Sequence, residues 1–156
     1  MTSESFDRSR PTLRIDAQFD RLDRIYAPGA PLTARYWIAG IGQEQVRSIE
    51  RSVDWYTEGK GEEDLGVHFF ERIPPPSPTD AVVEGTVTTT LPASPLSYEG
   101  VIVKVRWCLR VRVFFTSGRD FVSEHVFAVG DLPPARPAAP ATRIAPPVPV
   151  IRGEPT

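Results

Sequence analysis

A chain of 156 residues has the length of one domain with tails. Its formal net charge of −2 and pI near 5.7 give no electrostatic reason to expect nucleic acid or an anionic membrane as the main partner. A lone cysteine, Cys108, cannot close an internal disulfide. The polar start Met1–Arg10 lacks the apolar stretch of a secretory signal. No segment approaches the roughly 18–20 apolar residues of a membrane span. These features point to the cytoplasm.

Three regions follow from composition. Residues 1–10 read as a flexible arm. Residues 132–156 are rich in proline, with Pro134-x-x-Pro137, Pro137-x-x-Pro140 and the run Pro146-Pro147-Val148-Pro149-Val150. They read as an extended, disordered tail that could serve as a spacer or as a ligand for an aromatic groove. The folded part is residues 11–131.

Within it the period is two. Leu13, Ile15 and Ala17 alternate with Arg14 and Asp16, a first strand. Tyr26-Ala27-Pro28-Gly29 is a turn, since proline presets one backbone angle and glycine permits the next. Leu32, Ala34, Tyr36 and Ile38 mark a second strand. A third runs from Val46 to Tyr56, with Ile49, Val53 and Trp55 on one side and Ser48, Glu50, Ser52 and Asp54 on the other. The acidic, glycine-containing stretch 57–64 is a loop, and Val67 to Ile73 a short strand. Pro74-Pro75-Pro76-Ser77-Pro78 breaks the chain before a strand through Val83, Gly85, Val87, Thr89 and Leu91. The longest element is Val101–Phe115. It is predicted to bury Val101, Val103, Val105, Trp107, Leu109, Val111 and Val113 on one face and to show Lys104, Arg106, Arg110 and Arg112 on the other. Phe121–Val129 returns after the Ser117-Gly118 turn. About seven strands with almost no helical pattern predict an all-β fold. Two antiparallel sheets would stack as an immunoglobulin-like β-sandwich.

Three blocks, in order, carry a resemblance: Tyr26-Ala27-Pro28-Gly29 ahead of Pro31-Leu32; Ile49–Trp55; and Leu91-Pro92, then Ser97-Tyr98-Glu99-Gly100 and the strand Ile102–Val111. Together they resemble the N-terminal domain of the arrestin-like superfamily, which includes arrestins, arrestin-domain-containing adaptors and the Vps26 retromer subunit. The resemblance spans the folded part and implies an arrestin-like sandwich, here a single-sandwich bacterial member. It also implies a non-enzymatic adaptor or scaffold role. Arrestins have two such sandwiches and this chain has length for one. Phosphate sensing does not carry over either, since the opening strand has Arg14 but no lysine pair.

The candidate partner-binding residues are Lys104, Arg106, Arg110 and Arg112. On a strand they share one face, about 6.5–7 Å apart at i and i+2, and could meet an acidic or phosphorylated partner. The competing reading is cross-strand pairing with Glu50, Asp54, Glu84 or Glu124, worth roughly 0.2–1 kcal/mol a pair. Cys108, among these arginines, reads as a half-covered packing residue whose pKa its cationic neighbours would lower. The loop Glu58–Asp64 with His68 lacks the spacing of a calcium loop and reads as a solvated hairpin. His68 and His125 are the only histidines, and there is no nucleophile elbow. Neither a catalytic site nor a cofactor or metal is therefore expected. The partner is another protein, with a homo-oligomer as the alternative. A carbohydrate-binding sandwich would need Tyr36, Trp37, Tyr56 and Tyr98 around a groove.

Overall fold

The computed structural model describes residues 12–137. The arm 1–10 and residues 138–156, which hold most of the proline-rich tail, lie outside the described residues.

Nine strands follow in chain order: β1 Arg14–Phe19, β2 Ile25–Tyr26, β3 Pro31–Ala39, β4 Val46–Gly59, β5 Leu65–Ile73, β6 Val82–Thr90, β7 Tyr98–Glu99, β8 Val103–Phe115 and β9 Asp120–Val129. Seven are the strands expected from alternation. The two additions, β2 and β7, are two residues each. The Pro28-Gly29 turn does form: Ala30 N–H bonds the Ala27 carbonyl at 3.0 Å, with Gly29 at φ 76°.

The strands form two sheets, β1-β3-β6 and β2-β9-β8-β4-β5, with β7 added beside β8. All pairings are antiparallel except β2 with β9. Phe19, Leu32, Ala34, Tyr36, Ile38 and Val87 of the smaller sheet are buried together with Ile49, Val53, Leu109, Val111 and Val113 of the larger. Burial of each large apolar side chain contributes roughly 1.5–3 kcal/mol, so this contact between the sheets is what holds the fold. Trp107 is fully buried, and its indole N–H donates to the Pro95 carbonyl at 2.8 Å.

The buried face of β8 is shorter than the alternation implied. Trp107, Leu109, Val111, Val113 and Phe115 are buried, whereas Val101 and Ile102 are 61% and 66% exposed and precede the strand. Val103 is exposed and Val105 half-buried. The apolar alternation thus runs past the buried part of this 13-residue strand. There the chain instead meets the β4–β5 hairpin, where Lys60 N–H bonds the Ile102 carbonyl.

Candidate functional site

The four candidate cations lie together on the outer face of the larger sheet, and each is matched with an acid. Lys104 lies 3.6 Å from Glu99, and Arg106 lies 3.1 Å from Glu58 and 3.3 Å from Glu99. Arg110 bridges Asp54 at 3.3 Å and Glu124 at 2.9 Å. Arg112 bonds Asp120 at 2.6 Å. The register explains the matching: Arg106 stands opposite Tyr56, two residues from Glu58, which faces Lys104, and Arg110 stands opposite Glu124 on β9. Two of the expected acids, Asp54 and Glu124, do pair with the stripe. Glu50 instead pairs with Arg72, and Glu84 with Arg35 and the Trp37 indole. The face is a ladder of neutralised charge rather than an open cationic stripe.

Beneath the ladder is something alternation does not foretell. Ser52, Asp54 and Cys108 point to the outer face yet are 8%, 1% and 0% exposed. Phe70 and Val67 on β5 stand opposite Ser52 and Asp54, and Val126 on β9 stands opposite Cys108. These larger side chains, with Arg110, wall the three off. Ser52 donates to Asp54 Oδ2 at 2.7 Å, while Asp54 Oδ1 has no hydrogen-bond partner. Burial pushes the Asp54 carboxyl above its ordinary value, outweighing the Ser52 hydrogen bond and Arg110. The Cys108 thiol is likewise pushed up by burial, to about 12. The expectation that arginines would lower it fails because loss of solvent outweighs Arg110. Cys108 is fully covered, not half-covered.

Around this buried centre the face is apolar and open. Leu65, Val67 and Phe70 on β5 are 57%, 58% and 54% exposed. Val122 and Val126 on β9 are also exposed. Between the β4–β5 hairpin and the Arg110–Glu124 pair lies a cleft of about 370 Å³, lined by Tyr56, Glu58, Glu63, Asp64 and Leu65 on the hairpin side.

The remaining candidates are scattered. His68 is the extra residue of a bulge in β5, where Val53 faces Phe69 and Asp54 faces Val67. Its ring reaches the edge of the smaller sheet, with Nε2 2.8 Å from the Thr90 carbonyl oxygen and 3.2 Å from Thr89 Oγ1. His125 lies on β9, three strands away from β5 in the sheet order, beside Ser123 Oγ at 2.9 Å. Among the described residues, no group of three or more His, Cys, Asp or Glu is placed to hold a metal ion, and no helix could cross a membrane. Of the four aromatics, Tyr36 is core, Trp37 is half-buried on the smaller sheet, Tyr56 lines the cleft, and Tyr98 is exposed on β7. They do not share a groove.

No protein-family model matches the sequence, and no curated protein matches it. Among solved structures the chain is similar to Spo0M, a sporulation control protein from Bacillus subtilis, with a TM-score of 0.57 at 16% identity. The match covers 77% of this chain and 50% of that one, so the chain spans about half the length of its structural relative. The likeness is one of fold: this is an arrestin-like, all-β, two-sheet sandwich.

Proposed function

We propose that this sandwich is a non-enzymatic, cytoplasmic protein-binding module, an adaptor or scaffold, and that it binds through the outer face of its larger sheet. The observation that carries the reading is the row Leu65, Val67 and Phe70, each more than half exposed, beside a charge ladder already neutralised by its own acids. Such a surface loses little by desolvation at its charges and gains by covering its apolar row. The edge of β5 is a poorer template, because the bulge at His68 interrupts its ladder. Similarity to a sporulation control protein fits a regulatory role of this kind.

The test is affinity capture from the native host with the full chain and with a Val67→Asp, Phe70→Asp variant. Both positions are more than half exposed but also cover Ser52 and Asp54, so Leu65→Asp, opposite Tyr56 and covering neither, is carried alongside as a second variant, and the double variant is scored once its melt shows it folded. Each variant should lose a specific, saturable partner that the parent retains. A partner held equally by parent and variants would remove this face from consideration, and a parent with no saturable partner would reject the reading. Self-association through the same face is the second reading, and light scattering of the parent across concentrations discriminates it.

A further inference from the structure

The proline-rich stretch takes no part in the binding face above, yet its first residues lie against the sandwich. Ser97 N–H bonds the Val129 carbonyl at 2.8 Å, and Ala135 N–H bonds the Glu99 carbonyl at 2.9 Å. The chain leaving β9 therefore follows β7 in the same direction, from Ser97 past Glu99. It is headed for Gly100–Val103 when it reaches Pro137, the last described residue. That destination is apolar. Tyr98, Val101, Ile102 and Val103 are all exposed, in a nearly continuous run that joins β7 to the start of β8. An exposed run of large apolar side chains marks a surface that gains by being covered.

The rest of the stretch has the chemistry and the reach to cover it. Ile144-Ala145-Pro146-Pro147-Val148-Pro149-Val150-Ile151 carries no charge and is bracketed by Arg143 and Arg152. A sequence of this composition favours an extended form with a rise of about 3.1 Å per residue, and it docks beside an aromatic ring at low entropic cost. Tyr98 supplies the ring. The brackets have counterparts too. The β4–β5 hairpin meets the run where Lys60 N–H bonds the Ile102 carbonyl, and it carries the exposed acids Glu62, Glu63 and Asp64. Ile144 is seven residue steps beyond Pro137, about 22 Å at that rise. From Tyr98 to Val103 is five steps, at most about 18 Å. The tether is long enough to bring the uncharged segment onto the run and short enough to hold it there at high effective concentration.

We propose that residues 144–151 dock on the Tyr98–Val103 run of their own chain, with the proline-spaced valines over Tyr98 and Ile102 and the flanking arginines toward the hairpin acids. The proline-rich stretch is then an internal ligand of the sandwich rather than a spacer. The docking does not depend on a partner at the outer face.

The test is paramagnetic relaxation by NMR in the isotope-labelled full chain, with a nitroxide on Thr142→Cys. Cys108 is fully buried, so the added thiol takes the label. Against the reduced nitroxide, the amides of Tyr98, Val101, Ile102 and Val103 should lose more than half of their intensity. Those of Thr88 and Val122 should keep theirs. The loss should vanish in Val148→Asp, Ile151→Asp, which changes no residue of the nine strands. It should vanish as well in Ile102→Asp, at an exposed position. Isotope-labelled parent mixed with unlabelled, nitroxide-bearing chain should show no loss, because the contact is made within one chain. Full intensity at the run, loss spread evenly over the sandwich, loss that survives either variant, or equal loss in the mixed sample would each overturn the proposal.

Discussion

At the scale of single residues, the decisive group is Asp54. The alternation of β4 places it on the outer face, and an outer-face aspartate on a strand is ordinarily solvated. What the sequence does not show is that β5 sets Val67 and Phe70 beside it and β8 sets Arg110 over it. That depends on register, which alternation alone leaves open. Because burial raises its folded-state pKa above the unfolded value, Asp54 binds its proton more tightly when folded. Its contribution to stability is complete below the unfolded pKa, about 3.9, and is lost as pH rises through the folded value. The stability of the parent minus that of Asp54→Asn should therefore fall as pH climbs from 4 to 7 in urea titrations. A difference that grows over that range would contradict the assignment. The two central arginines should also part company. Arg112→Ala removes an exposed pair and should change stability by no more than about 1 kcal/mol. Arg110→Ala leaves Asp54 buried without its cation and should cost roughly 3 kcal/mol at pH 7. Equal effects in equilibrium unfolding would show that Asp54 is solvated.

At the scale of elements, the seven long strands were legible because period-two alternation and Pro/Gly punctuation agree along most of the chain. β2 and β7 were not, since two residues cannot display a period. The Val101–Ile102 end of the longest segment was misread because valine and isoleucine report β propensity, not the presence of an opposing sheet. Arg51 is a similar case. It stands on the inner face between Ile49 and Val53, where its guanidinium reaches Tyr36 Oη at 3.3 Å and Glu71 at 2.9 Å. A charged side chain there is tolerated because partners on β3 and β5 satisfy it. Gly85, one residue of the alternating β6 strand, has a packing reason. The Tyr36 ring of the neighbouring strand occupies the space where a Cβ would sit. Gly85→Ala should destabilise the protein by about 1–3 kcal/mol through overpacking. A neutral change in denaturant midpoint would mean that Tyr36 packs elsewhere.

At the scale of the whole molecule, the sandwich is asymmetric: three strands stack against a larger sheet that holds the two longest strands, β4 and β8. The fold class could be read from the sequence because stacking two sheets is the economical way to hide so many one-sided strands. The candidate site could be read only as a stripe of cations. Their neutralisation and the cleft beside them depend on which acids the register brings across. Cys108, buried at the centre of the sheet with its thiol pKa pushed up to about 12, reports on global opening. A thiol reagent at pH 8 should modify it no faster than the protein unfolds, and labelling at the rate of a free thiol would show a loose face. The most direct examination of the central claim is site-specific photo-crosslinking in the native host, with the photoreactive residue placed at Phe70 on the larger sheet or at Thr88 on the smaller. We predict one discrete adduct from Phe70 and none from Thr88. The same adducts from both positions, or an adduct from Thr88 alone, would contradict the account.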